Sequence, residues 1–384
     1  MQHKKKLIRI TTVPIALAYP LRGQPSYMHT HGFDVLMVSS DGKELNQIQR
    51  QEVCPHKVVP MTRKITPFQD LRSLFLLVKL FRKIKPDIVH TETPKAGLLG
   101  MIAAWFCRVP SRIHTVAGLP LMVEKGMKLR LLECIEKITY AAAGHVWPNS
   151  ESLKNFIIKH HFCSPDKLTV VGKGSSNGVD TIRFNRDKLD EKIFEDVKRS
   201  VSFDSSFSYL LFVGRMVLDK GIVELVHVFV ELQKKYPQLK LILAGQFEKS
   251  LDPLPPDIEE AILHHPAIIH ISWTNNVEYY MALSQFFVFP SYREGFPNVL
   301  LEAAVMKLPV VCSRIAGNVD IIYHKETGLL FETQDESALK LELEWALNNP
   351  IEVQRMTEKL YDIVYHTFPR ENFWHAMKAE YDKL

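Results

Sequence analysis

Short apolar runs alternate with longer segments of helical periodicity along almost the whole chain. In residues 222–236, apolar side chains recur at positions 222, 225, 226, 229 and 230, which is the spacing of one helix face. This segment lies between two apolar runs at 209–216 and 239–245, each of a length typical of a buried strand. The strand–helix–strand order predicts a parallel sheet, whose ligands bind at the carboxyl ends of the strands.

The same alternation predicts a second parallel sheet in the first half of the chain. Its predicted strands cover residues 6–13, 34–39, 57–59, 88–90, 112–116, 145–148 and 168–171. Its predicted helices cover residues 23–31, 43–52, 68–84, 94–107, 127–142 and 150–160. We therefore predict an α/β protein with one sheet of this type in each half.

The charge-rich stretch 183–208 lacks a strand pattern and predicts a connection between two domains, with a helix at 189–200. The length of 384 residues also suits two domains. We predict an N-terminal domain at 1–180, a linker at 181–208 and a C-terminal domain at 209–366. Residues 367–384 would form a last helical segment, which is expected to cross back to the N-terminal domain.

Two glutamates, Glu294 and Glu302, lie on either side of a Gly-Phe-Pro turn that follows the apolar run 286–290. This order predicts a buried strand, a tight loop carrying Glu294 and a helix that begins near Pro297. A helix start carries unpaired backbone N–H groups and a partial positive charge, which favour anionic oxygens. The two carboxylates would suit a hydroxyl-rich ligand bound there, although either glutamate alone also fits an ordinary solvated charge.

Two cations lie in the loop that follows the predicted strand 209–216. Arg215 comes directly after Gly214, and Lys220 follows five residues later. Proteins commonly bind a diphosphate with the forked guanidinium of an arginine and the compact charge of a lysine. Each cation alone is more simply a solvated side chain, but together with the glutamate turn they predict a phosphate site.

Three stretches of the second half resemble the retaining glycosyltransferases of family 4: GRMVLDKG at 214–221, SYREGFPNVLLEA at 291–303 and IAGNVDIIYHKETGLLF at 315–331. The resemblance covers essentially the whole chain. Stretches 88–97, 114–120 and 171–180 are similar to the subgroup that builds capsular, O-antigen and other lipid-linked glycans. The resemblance implies a GT-B fold, with two Rossmann-like domains facing across a cleft.

The resemblance also implies roles for individual residues. Arg215 and Lys220 would hold the donor diphosphate, Glu302 the nucleotide ribose, and Glu294 the transferred sugar. The implied catalytic set is therefore Glu294, Arg215 and Lys220. The implied donor-binding set adds residues from both loops, namely Gly214, Gly295, Phe296, Pro297, Asn298 and Glu302.

One position departs from the family pattern. Members often carry a histidine in the loop that here reads Thr-Val-Ala-Gly, and this chain has Ala117 at that position. His114 is near in sequence, but side chains on a strand alternate between faces, so we expect His114 to be structural. In the family the leaving phosphate accepts the acceptor's proton, so a dedicated protein base is not required.

Several residues of the first half follow predicted strands and are candidates for binding the acceptor. They are Gly23, Gln24, His90, Glu92, Thr93, Lys95 and Asn177, the last of which lies in a glycine-flanked loop. Glycine-rich loops also serve as plain turns, so a structural role remains an alternative for each. The resemblance assigns this domain to the acceptor.

No Asp-x-Asp pair occurs in the sequence, so a metal-bridged diphosphate has no obvious ligands. We expect no metal and no other cofactor, with the two cations in place of a metal. The five cysteines are scattered without a CxxC pair, which is typical of reduced thiols and a cytoplasmic protein. No apolar run reaches the roughly 18 residues that span a bilayer.

Charge is distributed unequally between the two halves. Residues 1–180 hold 26 Lys+Arg and 13 Asp+Glu, which gives +13, while the remaining residues sum to −8. This asymmetry suggests that the first half meets an anionic surface. Segments 70–85 and 126–137 are basic helix candidates that would suit the inner face of the cell membrane. Alternatively, each simply packs on the sheet with its lysines in solvent.

The combined prediction is a retaining glycosyltransferase that moves a hexose or N-acetylhexosamine from a nucleotide-diphosphate sugar to a lipid-linked saccharide. The resemblance implies UDP as the nucleotide. Two alternatives remain: a nucleotide-sugar epimerase of the same fold, and a noncatalytic nucleotide-sugar-binding regulator. Nucleic acid is not an expected partner, because the sequence contains no recognisable binding module.

Overall fold

The computed structural model describes residues 4–248 and 252–384. They form two α/β units, one from residues up to Gly178 together with Arg370–Leu384, the other from Val179–Pro369. Each unit contains a six-stranded sheet in which every strand pairing is parallel. This architecture confirms the predicted fold class.

The sheet of the first unit has the order β3-β2-β1-β4-β5-β6. Its strands are β1 Lys5–Ile10, β2 Phe33–Ser39, β3 His56–Val58, β4 Ile88–Glu92, β5 Ser111–Val116 and β6 His145–Pro148. Its helices are α1 Ile15–Ala18, α2 Gln24–Thr30, α3 Leu45–Gln51, α4 Pro67–Ile84, α5 Pro94–Phe106, α6 Gly126–Ala142 and α7 Glu151–Lys159. Strand order reverses beside β1, and loops at such a switch point form ligand sites in open α/β sheets.

The sheet of the second unit has the order β12-β11-β10-β7-β8-β9. Its strands are β7 Ser208–Val213, β8 Leu239–Ala244, β9 Ile268–Ile271, β10 Phe286–Phe289, β11 Val310–Ser313 and β12 Leu329–Phe331. Its helices are α8 Glu191–Ser200, α9 Ile222–Lys235, α10 Pro256–His264, α11 Val277–Leu283, α12 Asn298–Val305, α13 Glu336–Asn348 and α14 Pro350–Thr367. Because β7 pairs with β10, the loops that follow these two strands lie at the same edge.

The central strand of the second unit is buried on both faces. Tyr209, Leu210, Leu211 and Phe212 of β7 are each at most 1% exposed. Helices cover both faces of a parallel sheet, so its strands read as continuous apolar runs rather than as alternating patterns. This burial fixes the end of β7, and with it the position of the loop that carries Arg215.

The last helix, α15 Arg370–Asp382, belongs to the first unit. Phe373, Met377 and Tyr381 on one of its faces are buried in the core of that unit. Their spacing of four residues places them on one helix face. The chain therefore returns to its first unit after completing the second.

Two details of the sequence prediction differ from the structure. Residues 168–171 form no strand: Leu168 makes one isolated bridge to Val146, and the chain turns at Gly172 with φ +59°. Residues 181–208, predicted as a linker, pack within the second unit, where Val197 and Val201 are buried. Asp190 starts α8 there by accepting a hydrogen bond from the Ile193 N–H at 2.9 Å.

Candidate active site

The loops after β7 and β8 each start at a glycine, and these two glycines pack against each other. The Gly214 N–H donates to the Ala244 carbonyl at 2.9 Å. A Cβ on Gly245 would lie 1.6 Å from the Gly214 carbonyl oxygen, so only glycine fits there. Strands β7 and β8 therefore end side by side, and Arg215 leaves the sheet at a fixed point.

A third glycine joins this loop to the end of β10. Gly221 has φ +68°, and a Cβ there would lie 2.2 Å from the Pro290 carbonyl oxygen. This left-handed conformation and close approach both favour glycine. Gly221 follows a short turn at Leu218–Lys220 and directly precedes α9, so its contact holds Lys220 beside the β10 loop.

Lys220 and Glu294 form an ion pair between the two loops. Their side chains are only 14% and 17% exposed, and the Lys220 Nζ lies 5.7 Å from the centre of the Phe289 ring. A charge pair with little solvent interacts more strongly than one at an open surface. The structure thus brings together a cation and a carboxylate that the sequence assigned to one site.

Arg215 takes a different partner. Its guanidinium forms an ion pair with Glu248, in the loop after β8, and its side chain is 44% exposed. Burial disfavours the positive charge, but the hydrogen bond and charge of Glu248, with the carboxylates of Asp219 and Glu294, raise the pKa of Arg215. Arg215 therefore lies within the electrostatic field of Glu294 without forming a salt bridge to it.

A second set of contacts, absent from the sequence prediction, reinforces the junction of the two loops. Asp219 Oδ2 accepts a hydrogen bond from Arg293 Nη2 at 2.6 Å, and the Tyr292 N–H donates to the Asp219 carbonyl at 2.9 Å. The Tyr292 hydroxyl also hydrogen-bonds to Glu224 at the start of α9. One feature of the sequence could have predicted these contacts. Asp-Lys at 219–220 and Arg-Glu at 293–294 have opposite charges in the same order, so each residue of one pair complements one residue of the other.

The segment before α12 packs closely against Gly317 and Phe368. A Cβ on Gly317, which has φ +83°, would lie 2.5 Å from the Gly295 carbonyl oxygen. Phe296 is 5% exposed, with its ring centre 5.5 Å from that of Phe368. No side chain caps α12, because its N-cap residue is Pro297. A helix start favours an anion through its first backbone N–H groups and its partial positive charge.

Asn298 and Glu302 lie on α12 as predicted, at its first and fifth residues. Glu302 is half-buried. Burial disfavours the positive charge of Arg183, but its hydrogen bond to Glu278 at 2.8 Å, the charge of Glu278 and then that of Glu302 raise the pKa of Arg183. The structure therefore places a carboxylate one turn inside the helix. Its binding to ribose stays a prediction.

Three of the predicted acceptor residues lie in a buried junction with α15. Gln24 and Asn177 are 1% and 2% exposed, and Asn177 Oδ1 accepts a hydrogen bond from Trp374 Nε1 at 2.6 Å. A Cβ on Gly23 would lie 2.9 Å from the ring of Trp374. Asn177 thus holds the last helix through Trp374. Gln24 is engaged elsewhere, since its Oε1 accepts from Arg9 Nη2 at 2.6 Å and its Nε2 donates to the Ser176 carbonyl at 3.1 Å. An acceptor role for Gln24 and Asn177 stays a prediction.

Thr93 and Lys95 lie where β4 leads into α5. Thr93 has φ +77°, an unusual value for a β-branched residue, and its Oγ1 accepts from the Thr12 N–H at 3.0 Å. Lys95 forms an ion pair with Asp70 at 2.7 Å. Backbone strain of this kind often accompanies ligand sites, but the charge of Lys95 already has a partner.

A buried polar network connects β1 and β4 to α15. Arg9 Nη2 lies 2.9 Å from Glu92 Oε2, and Arg9 Nη1 donates to the Tyr381 hydroxyl at 3.0 Å. His90, fully buried, lies 2.6 Å from the Thr115 Oγ1. Burial raises the pKa of Glu92 to about 7, although Arg9 opposes the shift. His90 and Glu92 are therefore engaged with protein groups.

The two halves of the chain match two families of known proteins. Residues 22–174 match the family described as Glycosyl transferase 4-like domain, and residues 194–362 match Glycosyl transferases group 1. Over 382 residues the chain is 34% identical to the capsular polysaccharide biosynthesis glycosyltransferase CapM of Staphylococcus aureus, covering 98% of this chain and 97% of CapM. The chain belongs to glycosyltransferase family 4. This membership confirms the resemblance carried by the motifs.

Two further proteins resemble this glycosyltransferase. It is 29% identical over 311 residues to the UDP-Gal:alpha-D-GlcNAc-diphosphoundecaprenol alpha-1,3-galactosyltransferase of Escherichia coli, covering 79% of this chain and 77% of that relative. The crystal structure of Anabaena Alr3699/HepE in complex with UDP and glucose has a TM-score of 0.81 at 15% identity, with full coverage of both chains. The structural likeness confirms the GT-B fold.

Position 117 of this glycosyltransferase, where family members often have a histidine, is an exposed alanine after β5. His114 is buried, with its Nδ1 2.9 Å from the Thr91 Oγ1, and a Cβ on Gly97 would lie 2.4 Å from its ring. Burial lowers the pKa of His114 to about 4. His114 is thus the structural residue that strand alternation predicted.

Proposed function

We propose that this glycosyltransferase transfers a hexose or N-acetylhexosamine from a UDP-sugar to a lipid-linked saccharide, with retention of the anomeric configuration. The observation that carries this proposal is the ion pair between Lys220 and Glu294, the latter in the loop that precedes α12, a helix whose start has no side-chain cap. The names of CapM and of the Escherichia coli relative support a role in surface polysaccharide biosynthesis and a lipid diphosphate acceptor. The Escherichia coli name also supports UDP as the carrier.

The charges in the second unit fit the leaving group of this reaction. When the anomeric C–O bond breaks, its electron pair goes to the diphosphate oxygen, whose negative charge grows. Lys220, Arg215 and the N–H groups of α12 would stabilise that charge, and positioned donors of this kind each contribute about 2.7–4 kcal/mol to catalysis. The diphosphate would compete with Glu294 for Lys220 and with Glu248 for Arg215.

Glu294 is proposed to contact hydroxyl groups of the transferred sugar once the diphosphate engages Lys220. Such contacts strengthen as the anomeric carbon gains oxocarbenium character. The acceptor hydroxyl then attacks on the face that the diphosphate leaves, and its proton goes to a leaving phosphate oxygen. The bond that forms joins the acceptor oxygen to the anomeric carbon, with the same configuration as the bond that breaks. Glu302 would hold the ribose hydroxyls.

A panel of nucleotide sugars, incubated with the protein and a membrane lipid extract, tests this proposal. We expect one UDP-hexose or UDP-N-acetylhexosamine to add its sugar mass to a lipid-linked saccharide, with an α-linkage in the product detected by NMR. Incubation with the UDP-sugar alone is the control, because an epimerised sugar there would indicate the epimerase reaction. Transfer from a different nucleotide, or an inverted linkage, would contradict the proposal.

We also propose that the transfer needs no metal. Within residues 4–248 and 252–384, no group of three or more His, Cys, Asp or Glu side chains is arranged to hold an ion. Lys220 and Arg215 would supply the positive charge that a divalent ion supplies in other transferases. We expect transfer to continue in excess EDTA at an unchanged rate. Loss of activity in EDTA that a divalent ion restores would show that a metal is required.

The proposed acceptor places the reaction at the inner face of the cell membrane, with the protein attached peripherally. Among the helices described by the structure, none is long and apolar enough to cross a bilayer. The +13 charge of residues 1–180 would favour the anionic lipids of that face.

A further inference from the structure

Glu248 binds one of the two cations proposed for the donor diphosphate, although it lies outside the motifs shared with the family. Its side chain is 21% exposed and forms the ion pair with Arg215 through a single guanidinium nitrogen, Nη1. Two parallel bonds between an arginine and a carboxylate add a geometric specificity that a single bond lacks. The contact therefore neutralises the charge of Arg215 more than it fixes the orientation of the guanidinium.

The fold places Glu248 beside Arg215. Beyond the ends of β7 and β8 the two segments stay paired, because the Met216 N–H donates to the Gln246 carbonyl at 2.9 Å and Met216 makes a parallel bridge to Phe247. One step back in this register, Gln246 lies opposite Arg215. Alternate residues of an extended chain share a face, so Glu248 follows Gln246 on the face of Arg215. The ion pair is thus a consequence of the strand pairing.

The residues ahead of Glu248 are anchored to β9. His270 Nε2 lies 2.9 Å from the Gly245 carbonyl oxygen, and the ring centres of His270 and Phe247 are 4.8 Å apart. The close packing of Gly245, described above, fixes the same segment. Glu248 therefore follows a firmly held backbone, and its contact with Arg215 is a built feature of the second unit.

Glu248 is also the carboxylate that the other ion pairs leave for Arg215. Burial disfavours the charge of Arg215, but the carboxylates of Glu248, Asp219 and Glu294 outweigh it and raise the pKa of Arg215. Asp219 and Glu294 each form an ion pair with a cation of their own. The direct partner of Arg215 is therefore Glu248, a residue for which the proposed reaction has no other use.

A diphosphate that binds Arg215 meets this carboxylate. If the diphosphate displaces Glu248, an ion pair is broken. If it binds beside Glu248, like charges are brought close together, which opposes binding. The opposition acts equally on the donor and on the nucleoside diphosphate that remains after transfer, since both carry the same two phosphates. Weaker binding of that product speeds its release, which is the slow step in many enzymes.

We propose that Glu248 is a positioning residue that competes with the diphosphate for Arg215 and thereby weakens the binding of both the donor and the nucleoside diphosphate product. Its carboxylate takes the place of a phosphate on the guanidinium and returns there as the product leaves. The proposal rests on the proposed function for the role of Arg215 in the donor site. Glu248 touches no reacting atom and acts only through Arg215.

Calorimetric titration of the full-length protein with UDP and with inorganic diphosphate tests the proposal. Glu248→Gln removes the charge but keeps a side-chain oxygen that can accept from Arg215. We expect this variant to bind both ligands about fivefold more tightly, the upper end for a partly exposed charge pair. Uridine, which has no phosphate, should show no such gain. Affinities of E248Q for UDP and diphosphate that equal or fall below those of the wild type would overturn the proposal.

Glu248→Ala distinguishes competition from orientation, because alanine removes the charge and the hydrogen bond together. If Glu248 competes with phosphate, the alanine variant should gain affinity as the glutamine variant does. Both gains should shrink in 1 M salt, where the screening length falls to about 3 Å. If Glu248 instead orients Arg215 for the donor, the alanine variant should bind UDP more weakly than the wild type, and that result would overturn the proposal.

Glu344 provides the matched control for the lost negative charge. Its side chain is also 21% exposed, and it pairs with Lys235 at 2.9 Å. Lys235 is the last residue of α9, whereas Lys220 precedes the start of that helix. The E344Q variant should therefore bind UDP as the wild type does. An equal gain in E344Q and E248Q would assign the effect to the net charge of the second unit and overturn the proposal.

Steady-state transfer separates this proposal from the proposed function. In E248Q we expect the KM for the donor to fall about fivefold. The kcat should be unchanged, because the lost repulsion acts on substrate and transition state alike, or lower if UDP release limits turnover. Product inhibition by UDP should strengthen by the same factor as KM falls.

The two proposals fail in different ways. If the wild type transfers sugar but E248Q gains no affinity for diphosphate or UDP, the role of Glu248 is refuted and the proposed function stands. If E248Q gains affinity for diphosphate but the wild type transfers no sugar from any donor, the proposed function fails while the competition at Arg215 stands.

Discussion

Replacing Lys220 by methionine is expected to lower kcat/KM for sugar transfer by about 10²–10³-fold, the usual loss for one preorganised donor to a developing charge. Methionine keeps the length of the side chain but removes its charge. Lys220 is 14% exposed, so little solvent replaces that charge. The loss should fall mainly on kcat, because the diphosphate becomes more negative in the transition state. Steady-state transfer, followed by mass spectrometry, measures it.

Lys234 provides the matched control, because it is exposed and near the opposite end of α9 from Lys220. The K234M variant should transfer sugar at the wild-type rate. Similar losses in both variants would show that a general change in charge, and not the position of Lys220, affects transfer. Wild-type kinetics in K220M would refute the role of Lys220 in binding the diphosphate.

A double-mutant cycle with Glu294→Ala distinguishes a catalytic ion pair from a structural one. If Lys220 and Glu294 only stabilise the junction, removing both leaves no unpaired charge, and transfer should recover in the double variant. If both contact the donor, the double variant should remain inactive. We expect no recovery, with Glu294→Ala alone retaining UDP affinity within about threefold because the contact proposed for Glu294 is to the sugar and not to the nucleotide. Calorimetry measures that affinity.

The elements of the fold were predictable because each leaves a local pattern in the sequence. Helix α9 carries its apolar residues at helical spacing, and β7 is a continuous apolar run because it is buried on both faces. The segment 168–171 misled the prediction for the same reason. It is locally similar to a strand, but the turn at Gly172 leaves it only an isolated bridge to Val146.

The candidate site was predictable only in part, because its partners are distant in sequence. Lys220 and Glu294 lie in the family motifs, in the loops that follow β7 and β10. Because these two strands are adjacent, the contact between Lys220 and Glu294 follows from the strand order. The partner of Arg215 is Glu248, a residue outside any motif. Likewise, Trp374 binds Asn177 across 197 residues of chain. No local sequence pattern encodes such contacts. From the sequence alone, a polar residue in a loop is equally suited to binding a ligand and to bonding with another part of the protein.

Replacing Gly221 by alanine should disrupt the junction of the two loops more than any surface change. A Cβ at φ +68° costs roughly 1–2 kcal/mol from the backbone alone. The same Cβ would lie 2.2 Å from the Pro290 carbonyl oxygen, and relieving such an overlap costs about 1–3 kcal/mol more. We expect the free energy of unfolding of the second unit to fall by roughly 2–5 kcal/mol. Urea unfolding measures it.

Gly126 separates the cost of the backbone conformation from that of the clash. It has φ +63°, close to the value for Gly221, but nothing lies within 4 Å of a Cβ placed there. Gly126→Ala should therefore lose only roughly 1–2 kcal/mol and keep transfer to a soluble acceptor. Since Gly221 holds Lys220 beside Glu294, Gly221→Ala should also lose transfer at urea concentrations where it is still folded. A folded Gly221→Ala variant with wild-type transfer would show that Lys220 does not depend on this contact.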